Sequence, residues 1–420
     1  MRIGGRNPIA RLLEPRLRGL ALPLRLVFPD GSALELGDAP TVELAFHRRG
    51  LLRKLLRGDL DALGAAYVAG ELGVEGRIED VIAVGIALAE RLRRVGRFWP
   101  TLAARLPRRR HTQAADRHWV QSHYDVSNDF YALWLDRRMI YSCAYFVSGS
   151  EDIDQAQEQK LLHLCCKLRL QPGERLLDVG CGWGGLLRFA AERFGVTGVG
   201  ITLSRNQHDL ARRRLAEAGL GERVEIRLQD YRALPESEAF DKVVSVGMYE
   251  HVGIANLAPY FATLRRVVKP HGIVLNHGIT TTEPDGGSRA PGGGFIDRFV
   301  FPGGELPHIS HVLHEMARQG LDVIDVESLR PHYAQTLTRW VRRLEAAKDA
   351  AVAAAGAERY RIWRVYMAGS AEAFARNWSS VYQVVAGKPA ADGGLTRPWT
   401  RRHQYLPEEP AALTPALPDW

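Results

Sequence analysis

The stretch "LLDVGCGWGG", residues 176–185, decides how this chain reads. An apolar run, "ERLLDVG" (174–180), leads into it, and "GGLLRFAAERFG" (184–195) leads out with helical spacing. Strand, glycine turn and helix is the predicted order. Gly180, Gly182, Gly184 and Gly185 let a backbone turn tightly and approach a ligand. They do so at the carboxyl end of a strand, where open α/β sheets bind. No Gly-Lys-Ser/Thr follows, so the loop is not a phosphate-cradling P-loop. Asp178 inside the strand and the strand–turn–helix context give the glycines weight that a lone G-x-G lacks.

Working outward, the alternation continues. "VTGVGIT" (196–202) reads as a strand and "SRNQHDLARRRLAEAG" (204–219) as a helix. Ser204 with Gln207 has the form of a capping box, and Gly195 and Gly219 are helix stops. "RVEIRLQD" (223–230), "FDKVVSVG" (240–247) and "GIVLNHGIT" (272–280) are further strands, with the helix "ANLAPYFATLRRVV" (255–268) before the last. Strands alternating with helices predict an α/β fold: a Rossmann-like parallel sheet with helices on both faces. A dinucleotide fold would place an acid after the second strand. Here that strand ends "GITLSRNQ", with Thr202, Leu203, Ser204, Asn206 and Gln207 and no carboxylate.

Residues 1–115 mix strand-like and helical runs and predict a small N-terminal α+β domain. A catalytic domain over 116–400 and a Pro-rich surface tail over 401–420 complete the expected organisation. The net charge is +8 over 420 residues. It is uneven: residues 1–120 hold 21 Lys/Arg against 13 Asp/Glu, and the remainder holds 35 of each. An anionic partner at the N-terminal part, such as a lipid surface, fits this, as does a solvated Arg-rich surface. The basic stretch 93–120 reads as a boundary.

No run approaches the ~18 apolar residues of a membrane span, and the N-terminus lacks a signal-peptide core. Cys143, Cys165, Cys166 and Cys181 fit neither a disulfide framework nor a zinc site. A reducing, cytoplasmic setting is expected. After Thr282 the chain changes character: residues 283–310 hold seven glycines and read as a long lid or binding loop carrying Phe295, Phe299 and Phe301. His308, His311 and His314 have helical spacing but no HExxH pattern or cysteines beside them, so no metal is expected.

"MYEHVG" (248–253) places Glu250 beside His251 at the end of a core strand. A buried carboxylate needs a partner whether or not it does chemistry. Together with the glycine loop, this segment belongs to a longer resemblance. "HYDVSNDFYALWLDRRMIYSCAYF" (123–146), "GVGITLSRNQ" (198–207), "FIDRFVFPGGELP" (295–307), "HYAQTLTRW" (332–340) and "YQVVAGKP" (382–389) complete it. The chain resembles the cyclopropane-fatty-acyl-phospholipid synthases and their mycolic-acid relatives, S-adenosylmethionine-dependent methyltransferases of class I. The N-terminal 115 residues resemble the phospholipid-acting branch more weakly.

The resemblance implies transfer of a one-carbon unit from S-adenosylmethionine to a cis double bond of a phospholipid acyl chain. A carbocation is then deprotonated by bound bicarbonate as a cyclopropane ring closes. It implies a bicarbonate cage of Cys143, Glu250, His277, the carbonyl of Ile279, and Tyr333. It implies cofactor contacts at Tyr141, Ser142, Asp178, Gly180, Gly182, Gly184, Thr202, Leu203, Gln207, Asp230 and Tyr231. Peripheral attachment to the inner membrane face follows as an expectation, and a homodimer is allowed. One alternative is a fatty-acid C-methyltransferase giving a methyl- or methylene-branched chain. The other is a lipid-binding protein with a dead fold. Nucleic acid is disfavoured, because no recognition motif accompanies the basic excess.

Overall fold

The computed structural model describes residues 2–4, 17, 20–95, 127–284 and 292–405. Most of the basic stretch 93–120 therefore lies outside the described residues, as do 285–291 and the tail beyond 405. The chain divides into two compact units. The first comprises residues 1–135, 281–304 and 333–380; the second comprises 136–280, 305–332 and 381–420. This differs from the boundaries expected at 115 and 400, because two later segments group with the N-terminal part.

The first unit carries a five-stranded sheet of β1 (Arg2–Gly4), β2 (Leu24–Val27), β3 (Ala33–Glu35), β4 (Val42–Phe46) and β5 (Leu72–Glu75), in the order β1-β3-β2-β4-β5. Alternation writes it: along β4, Val42, Leu44 and Phe46 are buried while the residues between them are not. Leu63 and Tyr67 of the helix Leu60–Val68 and Leu88 and Leu92 of Ile78–Val95 close this core. The glycine-rich segment is more ordered than its composition predicts. Gly293–Phe299 is a helix whose Phe295 is buried, and the Phe295 N–H donates to Asp61 Oδ1 at 2.8 Å. Gly64 faces that ring so closely that a Cβ there would meet it at 2.9 Å.

The second unit is the doubly wound sheet that the alternation predicts. Its strands are β6 (Arg175–Val179), β7 (Thr197–Thr202), β8 (Val224–Leu228), β9 (Phe240–Val246), β10 (Val268–Thr281), β11 (Asp322–Ser328) and β12 (Ser379–Gly387). Their order is β11-β12-β10-β9-β6-β7-β8. β10, β9, β6, β7 and β8 run parallel, and β11 pairs antiparallel with β12. Adjacent Leu176 and Leu177 of β6 enter different buried clusters, one on each face of the sheet. The order turns back on itself beside β6, with β7 and β8 on one side and β9 and β10 on the other. The crevice beyond the carboxyl ends of β6 and β9 is where such sheets bind. Both the glycine loop and "MYEHVG" lie there.

Local signals behave as their chemistry dictates, with two differences. Gly195 ends the helix Gly185–Phe194 at φ 68°, and Ser204 caps Arg205–Glu217 by accepting from the Gln207 N–H. The reciprocal half of the expected capping box is missing: Ser204 N–H donates to Thr202 Oγ1 at 3.2 Å instead. The tail also starts differently. Arg402–Gln404 forms a short helix with Gln404 buried, Arg401 pairs with Asp325, and the Gln404 carbonyl lies 3.2 Å from His163 Nδ1. Residues 401–405 thus dock on the second unit rather than trail over it.

Candidate active site

The glycine loop is built by backbone geometry. Gly180, Gly182 and Gly184 all have positive φ, which only glycine adopts freely. The N–H groups of Gly180 and Cys181 both donate to the Ile201 carbonyl at 3.0 Å, pinning the loop to β7. A Cβ on Gly182 would meet nothing within 4 Å, so the loop leaves an open side at its middle glycine. Asp178 is buried beneath, and burial lifts its carboxyl to about 7 against the pull of Lys160. A Gly182→Ala variant is expected to weaken cofactor binding at least tenfold, with an unfolding cost of only about 1 kcal/mol from the left-handed backbone. Titration calorimetry and thermal denaturation measure the two effects separately.

The end of β7 carries an amide and a hydroxyl and no acid. Thr202 Oγ1 donates to Gln207 Oε1 at 2.8 Å, and both side chains are buried. Gln207 therefore keeps its amide N–H groups for another partner, while Leu203 is half-buried beside it. Asp230, two residues beyond β8, has a charged partner. Arg232 grips both its oxygens, at 2.9 and 2.7 Å, and Tyr231 packs edge-on against Tyr260. Beneath the site, Tyr260 Oη lies 2.7 Å from Ser245 Oγ, which donates to the Val179 carbonyl at 2.9 Å. That network joins β6 to β9 below the crevice, and the sequence reading did not single it out.

Glu250 sits on the helical turn Tyr249–His251 that follows β9. The Ile279 N–H donates to its Oε1 at 2.6 Å, while Oε2 is buried without a hydrogen-bond partner. Desolvation raises the carboxyl to about 7, opposed by that N–H. The Ile279 carbonyl, which the resemblance assigns to the bicarbonate cage, takes no part in that bond. His277, on β10, is also buried, and burial drives its imidazole well below the usual range. Its Nδ1 accepts from the Gln383 amide at 3.3 Å, so the ring proton resides on Nε2, which has no partner. A buried acceptor and a buried donor are both left unmatched, which is rare in a folded interior.

Cys143 is fully buried and its thiol donates to the Ala144 carbonyl at 3.2 Å, with the Leu329 carbonyl 3.8 Å away. The residues after it are locked by aromatic stacking: Tyr145 lies between His163 at 4.3 Å and His332 at 4.7 Å. Before it come Tyr141, half-buried, and Ser142, buried. Cys143, Glu250, His277 and Ile279 all belong to the second unit. Tyr333 belongs to the first, where its ring packs against that of Phe374, tilted by 37° with centroids 4.6 Å apart. His308 caps the helix Ile309–Arg318 by accepting from the Ser310 N–H. Among the described residues no cluster of His, Cys, Asp or Glu is placed to hold a metal. No helix among them is long and apolar enough to cross a membrane.

Strand order, the glycine loop and its crevice define an α/β sheet of the S-adenosylmethionine methyltransferase kind. The profile of the family described as mycolic acid cyclopropane synthetase matches residues 111–384, and the chain belongs to that family. A second profile, described only as a domain of unknown function, matches residues 17–94. A probable fatty acid methyltransferase of Pseudomonas putida is 47% identical over 394 residues, covering 94% of this chain and 99% of the relative. The cyclopropane-fatty-acyl-phospholipid synthase of Escherichia coli is 37% identical, covering 67% of this chain and 71% of that protein. The crystal structure of a mycolic acid cyclopropane synthase with SAH and CTAB superposes with a TM-score of 0.62. It is 36% identical and covers 65% of this chain and 98% of that one.

Proposed function

We propose that this chain transfers a one-carbon unit from S-adenosylmethionine to the cis double bond of an unsaturated acyl chain in membrane phospholipid, closing a cyclopropane ring. The observations that carry this reading are two buried atoms without a hydrogen-bond partner, Glu250 Oε2 on the turn after β9 and His277 Nε2 on β10, the strand paired with β9. An alkene is a weak nucleophile, and the carbocation that follows methyl transfer must lose a proton for the ring to close. A strong side-chain nucleophile beside such a cation would be alkylated. Glu250 is acceptor-only as a carboxylate, and neutral His277 presents one donor. Together they suit a small protonated oxyanion. Bicarbonate, when bound there, would supply the base that removes the proton. Cys143, the Ile279 carbonyl and Tyr333 are added to that set by the resemblance and stay its expectations.

The glycine loop suits the cofactor. Its open side at Gly182 admits a ligand backbone-close, and Gln207 keeps its amide donors turned from Thr202. When bound, S-adenosylmethionine supplies an electrophilic methyl on a sulfonium. The lipid is proposed to be taken from the membrane surface, with the basic residues 1–120 meeting its anionic face. The likeness to a probable fatty acid methyltransferase favours a second reading, in which the product is a methyl- or methylene-branched chain.

One incubation separates these readings. The protein is mixed with S-adenosylmethionine and liposomes of cis-unsaturated phospholipid, and the recovered chains are weighed by mass spectrometry and read by proton NMR. High-field ring protons with a gain of one CH2 are the expected result. Branch-methyl or methylene signals would favour the second reading, and no gain in mass would end the transferase assignment.

A further inference from the structure

The segment carrying Tyr141, Ser142 and Cys143 has no regular structure, yet it is held on every side. Asp136 accepts from the Arg138 N–H at 2.8 Å and the Ile140 N–H at 2.7 Å, closing a loop beneath it. Gly185, at the start of the helix after the glycine loop, lies hard against it. A Cβ there would meet Ile140 Cδ1 at 2.4 Å and the Arg138 carbonyl at 2.8 Å. From the other side comes the helix Ile153–Leu168, which presents Gln157 and Lys160 one turn apart on one face. Gln157 Nε2 donates to the Ser142 carbonyl at 2.8 Å and the Ile140 carbonyl at 3.3 Å. Lys160 Nζ donates to Ser142 Oγ at 2.9 Å.

Lys160 is an unusual residue to find here. Its relative exposure is 2%, and charged lysines are almost never fully buried without a reason. Desolvation draws its ammonium down to about 8, while Asp136, Cys143 and Asp178 hold it up. The ammonium has donors only, so Ser142 Oγ is the acceptor in that bond. The hydroxyl hydrogen of Ser142 is therefore left to donate elsewhere, and its direction is constrained by the bond it accepts.

We propose that Lys160, supported by Gln157, is a positioning residue that sets Ser142 as a hydrogen-bond donor to the α-amino-acid carboxylate of the bound cofactor. This rests on the cofactor reading above. It assigns the buried lysine a task that neither the glycine loop nor the Glu250–His277 pair performs. The lysine acts through Ser142 and is not itself a catalytic residue. Its buried positive charge also favours a carboxylate over a neutral group in the same place.

The test compares two ligands by titration calorimetry. S-adenosylhomocysteine carries the amino-acid end, and 5′-methylthioadenosine shares the nucleoside thioether but lacks it. Lys160→Met keeps the length of the side chain and removes its donor. It is expected to weaken S-adenosylhomocysteine about tenfold or more and to leave methylthioadenosine within about twofold, as loss of a hydrogen bond to a charged group would do. Ser142→Ala should reproduce that pattern, and the double variant should be no worse than either single one. Equal loss for both ligands, no loss for either, or additive effects would each overturn the proposal. If Lys160→Met fails to fold, Ser142→Ala alone decides it by the same two-ligand difference. Wild-type protein that binds neither ligand would take the cofactor reading with it. Wild-type binding without the variant pattern removes only the role of Lys160.

Discussion

Glu250→Gln is expected to lose about 100-fold or more of product formation while making the protein more stable at pH 8. The two effects come from one atom. The amide keeps a carbonyl to accept the Ile279 N–H, so the turn after β9 is preserved. What changes is Oε2, the buried oxygen without a partner. Burial lifts the Glu250 carboxyl from 4.5 to about 7, so the folded state resists ionising it. A carboxyl raised on folding contributes stability that is present at low pH and is lost as pH climbs from 4.5 through about 7. Above that window the wild type carries a cost on the order of 3 kcal/mol that the glutamine variant does not. Melting curves at pH 5 and pH 8 should therefore converge at the lower value and separate at the higher. The same titration predicts that wild-type kcat/KM rises through about pH 7, and that the variant lacks this rise. A variant with wild-type turnover would remove Glu250 from the mechanism. A variant inactive but no more stable at pH 8 would mean that the carboxylate has a partner in the folded protein.

Much of this architecture was readable beforehand because periodicity and caps are local. Strands β6 to β10, Gly195 and Ser204 all follow from residues a few positions apart. What escaped depends on contacts between distant segments. Lys160 and Gln157 lie in "QEQKLLHL", where polar residues at helical spacing look like a solvated face. Only the placement of Ser142 shows them facing inward. Seven glycines made the segment after Thr282 read as a long lid or binding loop, yet Phe295 anchors a helix through Asp61, more than two hundred residues earlier. The capping-box pattern misread Gln207, because Thr202 competes for its side chain across the turn. At the candidate site, the residues named by the resemblance have hydrogen-bond partners that no motif shows. Glu250 and Ile279 are bonded, His277 is oriented by an unforeseen Gln383, and Asp230 is committed to Arg232.

The second large effect is expected at a residue with no side chain. Gly278 lies between His277 and Ile279 on β10, and a Cβ there would meet Tyr249 Cε1 and Cζ at 2.4 Å and Cε2 at 2.9 Å. Those distances are too short for non-bonded carbon atoms, so something must move. The Tyr249 ring is almost wholly buried, packed in one cluster with Val252, Leu257 and Tyr260, and has no free direction. Overpacking of this kind costs about 1–3 kcal/mol. The functional cost should be larger, because Tyr249 is the residue before Glu250 on the same short turn. Pushing the ring away from β10 carries the carboxylate off the Ile279 N–H and toward water. Gly278→Ala should therefore lower turnover at least tenfold although every reacting group is intact. A better-solvated carboxylate titrates nearer its ordinary 4.5, so the midpoint of the pH profile should also fall from about 7. That shift separates displacement of Glu250 from general loosening of the sheet, which would reduce the rate at every pH alike. An unshifted profile with wild-type turnover would show that the close approach of Tyr249 to β10 does not position the carboxylate.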